Sequence, residues 1–296
     1  ISEEGRGVAS MGSMLQITRF HNAIGSAAGM RRILLYSRDY MFKRRVFGKY
    51  LHEYPLHVQT LCRMDIEARG AMILVSELGK LLGKQECNCA SDEELLLLRI
   101  LNPVLKLYSA KQTIDVVSEG LESFGGLGYM EDAGFASRLR DAQVLPIWEG
   151  TTNVLSMDVL RVLMKTHGEA LRAFYVSVNQ KLNEALSKEE TRGHASKILN
   201  SMKSIENILR QNPMILEVGA RDFAYSLARI YTAALLLEFA CSEHADKSDK
   251  VTAERWILSQ DLCPFLTNFN LNMYSKEAIA DDSSIVLDGY QKADNE

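Results

Sequence analysis

The stretch Phe124-Gly125-Gly126-Leu127-Gly128-Tyr129 interrupts a chain that is otherwise patterned as one helix after another. Its glycines allow positive φ angles and let another group approach the backbone closely. A second irregular stretch, Ile147-Trp148-Glu149-Gly150-Thr151, places a carboxylate between an aromatic residue and a glycine. The helical segments around both stretches predict an all-α fold, in which these two breaks are the natural places for chemistry.

Glu149 stands just before the segment 151–163, whose apolar residues recur at helical spacing. Thr151 or Thr152 is suited to cap that helix. A carboxylate at this position is either a general base or a first-turn acid that the helix dipole favours. The residues alone leave both interpretations open.

The composition is that of an ordinary globular protein: the 296 residues are 47% hydrophobic and 24% charged. A formal net charge of −4 provides no basic field to attract nucleic acid. No apolar run is long enough to cross a bilayer, so we expect no transmembrane segment. The five cysteines are scattered, as expected of reduced thiols. Cys87-Asn88-Cys89 lacks the second ligand pair of a metal site, so we expect no metal.

Apolar periodicity divides the chain into eight helical segments. We predict helices over residues 8–43, 55–82, 91–123 and 151–166, which would form an antiparallel four-helix bundle, and further helices over 168–188, 192–211, 214–244 and 250–272. A capping box at Ser91 opens the third helix, and Pro103 predicts a kink within it or a break at Asn102. Residues 223–239 are apolar nearly all round and should be buried.

The chain ends in an acidic tail from about residue 280, which we expect to be loose, with Ile285-Val286-Leu287 as a docking point. Near the other end, Arg44 and Arg45 follow the first helix. They are either cations suited to a helix C-terminus or part of an anion site.

Three motifs together resemble the C-terminal helical domain of the acyl-CoA dehydrogenases, flavoproteins that oxidise acyl-CoA thioesters. They are Thr18-Arg19 with the later Arg44-x-x-Phe47-Gly48, then Glu122-x-x-Gly125-Gly126-x-Gly128-Tyr129, then Arg140-Asp141 with Trp148-Glu149-Gly150-Thr151. The resemblance covers roughly residues 1–165. It implies a four-helix bundle of the acyl-CoA dehydrogenase type over residues 1–166.

The remainder, with Trp148, Asn153 and the run Asp158-Val159-Leu160-Arg161, is similar to the AidB-like branch of that family. That branch carries an extra helical region. That branch implies a helical extension over residues 167–280, followed by the acidic tail at 281–296. The opening residues resemble the family's exit from its middle domain. The resemblance therefore implies that this chain is the C-terminal half of a longer enzyme.

The resemblance also implies roles for individual residues. Glu149 would remove the α-proton of the thioester while the β-hydrogen leaves as hydride to N5 of FAD. The implied FAD contacts are Arg44, Phe47, Glu122, Gly125, Gly126, Thr151 and Asn153, of which Arg44 and Phe47 would reach a neighbouring subunit's cofactor. The implied substrate contacts are Thr18, Arg19 and Gly150. Glu122 departs from the family pattern, because a glutamine that donates a hydrogen bond is usual there and an ionised carboxylate cannot donate.

The implied partners are an acyl-CoA substrate, an electron acceptor such as an electron-transfer flavoprotein, and a second copy of the chain in a homodimer or homotetramer. The expected location is intracellular: the mitochondrial matrix in a eukaryote, the cytoplasm in a bacterium. Two alternatives remain, a non-catalytic acyl-CoA-binding protein and an AidB-like flavoprotein that binds nucleic acid. The second is disfavoured because residues 160–296 carry 16 Lys and Arg against 19 Asp and Glu, a net charge of −3.

Overall fold

The computed structural model describes residues 3–5, 7–211, 215–258 and 261–290, and the described residues form an almost wholly helical protein. The first part contains α1 (Gly7–Ser10), α2 (Gly12–Lys43), β1 (Arg45–Val46), β2 (Lys49–Tyr50), α3 (Pro55–Glu86), α4 (Asp92–Glu122), α5 (Gly126–Tyr129), α6 (Ala136–Val144) and α7 (Thr152–Lys165). The second contains α8 (Glu169–Ser187), α9 (Glu189–Gln211), α10 (Ile215–Val218), α11 (Ala220–Cys241), α12 (Lys247–Leu258), α13 (Pro264–Asn270) and α14 (Lys276–Leu287). Short 3-10 turns lie at Leu51–Glu53 and Glu131–Ala133. The all-α prediction is confirmed.

Helix α4 lies at the centre of the protein. Every residue from Ile100 to Ala110 is buried, and the helix packs against α2, α3, α6, α7, α8 and α11. A helix that is apolar nearly all round must be enclosed by neighbours, so α4 links the first group of helices to the second. Its start is the predicted capping box, in which the Ser91 hydroxyl accepts from the Glu94 amide at 3.2 Å and the Glu94 carboxylate accepts from the Ser91 amide at 3.0 Å.

Helix α11 is the second enclosed helix, as its apolar sequence predicts. Among the described residues it alone is long and apolar enough to cross a membrane, yet 83% of its most apolar window is buried inside the protein. It packs against α3, α4, α7, α8, α9, α12 and α13.

A buried polar network joins α11 to the central helices. Arg229 of α11 donates to the Tyr108 hydroxyl at 2.8 Å, and that hydroxyl donates to Glu67 of α3 at 3.1 Å. The Trp256 indole of α12 donates to the Arg229 carbonyl at 3.1 Å. Burial raises the pKa of Tyr108 well above its ordinary value. The phenol therefore stays neutral and can serve both neighbours.

Three predictions about the elements need correction. Pro103 does not break the helix at Asn102, because α4 runs without interruption from Asp92 to Glu122. The amide side chain of Asn102 donates to the Gln16 carbonyl at 2.9 Å, which ties this turn to α2. The predicted helix 214–244 is two helices, α10 and α11, separated at Gly219. Likewise, α12 and α13 replace the predicted helix 250–272, because Pro264 starts a new helix.

The first helix ends at Lys43 as predicted, whereas the segment after it and the end of the chain contain structure that was not predicted. After α2, Arg45 pairs with Tyr50 and Val46 with Lys49 in a two-stranded hairpin. Much of the expected loose tail is helix α14, in which the Ser275 hydroxyl caps the Ala278 amide. The predicted docking residues Ile285 and Val286 are 75% and 77% exposed on it. Residues 291–296 of the tail lie outside the described residues.

Candidate functional site

The loop between α6 and α7 presents Glu149 in an unusual backbone conformation. Glu149 has a φ of 59°, and Gly150 has a φ of 104°. A Cβ at Gly150 would also stand 2.9 Å from the side chain of Leu155. A left-handed conformation at a non-glycine residue persists only where the surroundings impose it, and such residues cluster at functional sites.

Two residues of α2 contact Glu149. The Thr18 hydroxyl donates to Glu149 Oε2 at 2.5 Å, and Arg19 Nε donates to the backbone carbonyl of Glu149 at 3.2 Å. Glu149 is half-buried, and the neighbouring Trp148 is 52% exposed. The structure thus brings together Thr18, Arg19, Glu149 and Gly150, four of the residues that the sequence singles out.

A fully buried lysine that sequence reasoning missed lies beneath this loop. Lys106 Nζ donates to the carbonyls of Trp148 at 2.7 Å and Gly150 at 2.6 Å. Burial lowers the pKa of Lys106 to about 8; Arg19 adds to the shift and Glu149 opposes it. The signal in the sequence is one cation in the apolar run Val104-Leu105-Lys106-Leu107. A lysine is almost never fully buried without a specific partner.

Asp158 of α7 holds the side chain of Arg19 in place. It accepts from Arg19 Nη1 at 2.8 Å and from Arg99 Nη2 at 3.2 Å. Burial by itself would raise the pKa of Asp158, but Arg99 and Arg19 outweigh it and lower the pKa below its ordinary value. Asn22 fixes the start of the loop by donating to the Leu145 carbonyl at 2.9 Å.

Thr151 and Asn153 lie on the far side of the same loop. Both side chains are exposed and line a cleft of about 310 Å³ together with Lys111, Ile147 and Arg221. Thr151 is the N-cap of α7 by position, although its side chain makes no capping hydrogen bond. Thr151 in this cleft is two residues after Glu149 in the sequence. The cleft offers polar side chains to a ligand.

The remaining predicted residues lie at the opposite end of α2. The rings of Tyr40 and Phe124 are 4.8 Å apart, and Ser123 donates to Ser37 at 2.9 Å. These contacts place the hairpin and the glycine-rich stretch side by side. At a rise of about 1.5 Å per residue, this end is about 30 Å from Thr18. Arg44, Phe47, Glu122, Gly125 and Gly126 therefore form a second group, separate from Glu149.

This second group offers an open surface. Phe47 is 98% exposed on the hairpin turn, and Arg44 and Glu122 are exposed as well. The backbone φ of 61° at position 125 favours a glycine there. A Cβ at Gly128 would overlap the backbone carbonyl oxygen of Leu121, whereas one at Gly126 would meet no atom within 4 Å. Backbone conformation therefore explains Gly125 and packing explains Gly128, but neither explains Gly126. A ligand that approaches the backbone closely would require a glycine there.

The side chains of this surface are chemically suited to bind a flavin dinucleotide, with the exception of one residue. An exposed aromatic ring, a guanidinium group and an uncovered glycine suit the adenosine and phosphate parts of such a ligand. Glu122 does not, since a carboxylate repels phosphate. No cation of the described residues forms an ion pair with it.

A cavity of about 830 Å³ between α3 and α4 contains none of these residues. In the described part of the chain, no group of three or more His, Cys, Asp or Glu side chains could hold a metal ion. Cys87 and Cys89 are exposed after α3.

Two family models match the chain. Residues 5–164 match the acyl-CoA dehydrogenase C-terminal domain, and residues 169–287 match the acyl-CoA dehydrogenase 11 C-terminal domain-like family. The chain is 42% identical to acyl-CoA dehydrogenase family member 11 of Caenorhabditis elegans, over 98% of this chain and 48% of that protein. It is 30% identical to the putative acyl-CoA dehydrogenase AidB of Escherichia coli, over 80% of this chain and 40% of that protein.

Solved structures show the same fold. The Caenorhabditis elegans ACDH-11 complex with C11-CoA superposes with a TM-score of 0.93 at 41% identity, over 99% of this chain and 50% of that one. An acyl-CoA dehydrogenase complexed with FAD from Bacillus anthracis shares the fold alone, with a TM-score of 0.71 at 19% identity, over 95% of this chain and 51% of that one. This chain spans about half the length of the curated relatives named above. On the match of its first 164 residues and its identity to these relatives, the chain belongs to the acyl-CoA dehydrogenase family.

Proposed function

We propose that this chain supplies the C-terminal half of an FAD-dependent acyl-CoA dehydrogenase, in which Glu149 removes the α-proton of an acyl-CoA thioester. The hydrogen bond from Thr18 to Glu149 at 2.5 Å, within a loop of left-handed backbone, carries the proposal. It supports a carboxylate held in one orientation, as a general base requires. A first-turn acid that serves only the helix dipole needs no such partner.

The side chains around Glu149 have separate roles in the proposed proton transfer. Thr18 occupies Glu149 Oε2, and Oε1 accepts no hydrogen bond from the residues that the structure describes. Oε1 is therefore the oxygen that would receive the proton. Arg19 binds the backbone carbonyl of Glu149 and is itself held by Asp158. When bound, FAD would accept the β-hydrogen as hydride, which is chemistry of the cofactor.

The cofactor would draw on residues of two chains. Thr151 and Asn153 follow Glu149 by two and four residues, beside the place where the flavin ring would meet the substrate. Arg44, Phe47 and Gly126 lie about 30 Å away along α2, out of reach of that ring. We infer that they bind the adenosine end of a neighbouring subunit's FAD, so the active form is at least a homodimer. An electron acceptor such as an electron-transfer flavoprotein would reoxidise the flavin.

Exchange of the α-hydrogen tests the role of Glu149 directly. In heavy water, the flavin-loaded full-length protein should incorporate deuterium at the α-carbon of a bound acyl-CoA whose β-hydrogen transfer is reversible. Mass spectrometry of the recovered thioester measures this. A protein that binds acyl-CoA and FAD but leaves the α-carbon unlabelled would contradict the proposed base.

Replacing Glu122 tests the one residue that does not fit the cofactor. We expect Glu122→Gln to tighten FAD binding by about 10-fold or more, because the amide removes a repelling charge and can donate a hydrogen bond to phosphate. The FAD dissociation constant, measured by fluorescence on titrating apoprotein, checks this. Glu119→Gln on an exposed part of the same helix makes the same change of charge one turn earlier. An equal gain in both variants would indicate a general charge effect instead of a contact at residue 122.

A further inference from the structure

Three successive carbonyl groups around Glu149 are each held by a buried or half-buried cation. Lys106 Nζ binds the carbonyls on either side, those of Trp148 and Gly150. Arg19 binds the middle one, that of Glu149 itself. The backbone of the loop is thus fixed at every peptide around the carboxylate, by residues of two different helices.

The loop needs such support because of its backbone conformation. Glu149 adopts a φ of 59°, which L-residues rarely adopt without constraint. A flip of the peptide between Trp148 and Glu149 would return Glu149 to an ordinary φ and swing its carboxylate away from Thr18. The contact of Lys106 with the Trp148 carbonyl opposes that flip, and its contact with the Gly150 carbonyl fixes the peptide that follows Gly150.

The burial of Lys106 indicates that its hydrogen bonds to the Glu149 loop have a function. Its side chain is completely inaccessible to solvent, and burying an ammonium group is costly unless its donors are satisfied. Its hydrogen bonds go to backbone carbonyls. The carbonyls of a surface loop could be satisfied by water, so packing alone does not require a cation there.

We propose that Lys106 is a positioning residue, which holds Glu149 in its proton-accepting orientation by binding the carbonyls of Trp148 and Gly150. The inference rests on the proposed role of Glu149 as the base. Lys106 touches neither substrate nor cofactor in this scheme and acts only through the loop.

Lys106→Met tests the proposal, because methionine keeps much of the volume and removes the ammonium group. We expect the rate of flavin reduction by acyl-CoA to fall by about 10²-fold, the effect of misplacing a catalytic group by about 1 Å. The KM for acyl-CoA should change little, since no substrate contact is lost. The matched control is Lys181→Met, which removes another buried lysine, one that pairs with Glu77 and Glu238 far from the loop.

A second measurement does not depend on turnover. The amides of Ile147 and Trp148 donate to the Val144 carbonyl at 3.0 and 3.2 Å, so their hydrogen exchange reports on the order of the loop. Exchange at these amides should accelerate in Lys106→Met and stay unchanged in Lys181→Met. This can be followed by mass spectrometry without substrate.

The pH dependence of the wild-type protein provides a third measurement, which stands even if Lys106→Met does not fold. Lys106 loses its proton as the pH rises through about 8, and the neutral amine binds carbonyls more weakly. Arg19 and Glu149 face this ammonium group, and Asp158 and Arg99 lie behind Arg19. The rate of flavin reduction should therefore fall above pH 8 in wild type, and a folded Lys106→Met variant should lack that fall.

The outcomes separate this inference from the function on which it rests. A wild-type protein whose flavin no acyl-CoA reduces overturns the proposed function. A folded Lys106→Met variant with the wild-type reduction rate overturns the positioning role alone, as does an equal loss in Lys181→Met. If the variant fails to fold, a wild-type rate that does not fall above pH 8 overturns it.

Discussion

Glu149→Gln is expected to lower flavin reduction by acyl-CoA by about 10²- to 10⁴-fold, the usual contribution of a general base. Glutamine keeps the shape of the side chain and can still accept the hydrogen bond from Thr18, so the loop should remain in place. What is lost is an oxygen basic enough to take the α-proton. Rapid anaerobic mixing of the flavin-loaded protein with acyl-CoA measures the rate of bleaching.

Glu169→Gln is the matched control for this substitution. Glu169 is the first residue of α8 and pairs with Arg172 on the surface, so the same chemical change occurs outside the site. We expect it to leave bleaching unaltered. Undiminished bleaching in Glu149→Gln would remove the carboxylate from the mechanism, whatever the structure of its loop.

Gly128→Ala is expected to destabilise the chain by about 3 kcal/mol or more, at the upper end of the cost of overpacking. The added Cβ would overlap the carbonyl oxygen of Leu121. That atom belongs to the last turn of α4 and cannot rotate away as a side chain would. Chemical denaturation of the apoprotein, with the midpoint and slope compared to wild type, measures the loss.

Gly126→Ala separates the need for packing from the need for a cofactor. Its Cβ would meet no protein atom within 4 Å, so the apoprotein should keep its stability. If FAD lies against this glycine, the same methyl group should weaken FAD binding. Equal destabilisation by both alanine substitutions would contradict the close contacts described for Gly128, and unchanged FAD binding in Gly126→Ala would remove this glycine from the cofactor site.

Most of the helices could be predicted from local sequence. The capping box at Ser91 and the apolar periodicity of α4 and α11 are local signals, and each gives the right element and burial. Some of the errors occur where tertiary contacts decide, whereas the separations at Gly219 and Pro264 are marked by local residues. Of the two predicted effects of Pro103, the break at Asn102 is wrong, because the helix continues through the proline. The two-residue strands at Arg45–Val46 and Lys49–Tyr50 are too short to show the alternation of apolar and polar residues that predicts a strand.

The candidate site, like the fold, could be predicted only in part from the sequence. Glu149 and the glycine-rich stretch stand out in sequence, since glycines and an isolated carboxylate break a helical pattern. The supporting roles of Lys106 and Asp158 do not stand out, because they arise from packing between residues 42 or more positions apart. Lys106 reaches Trp148 across 42 residues, and Asp158 reaches Arg19 across 139. Only the three-dimensional structure shows that they support the same loop.

The most direct test of the account is anaerobic absorbance spectroscopy of the full-length protein before and after a panel of acyl-CoA thioesters is added. We predict a bound oxidised flavin that bleaches with at least one chain-length class, and no bleaching on that time scale in Glu149→Gln. A flavin that stays oxidised with every acyl-CoA, although the thioesters bind, would contradict dehydrogenation and indicate a protein that binds acyl-CoA without oxidising it.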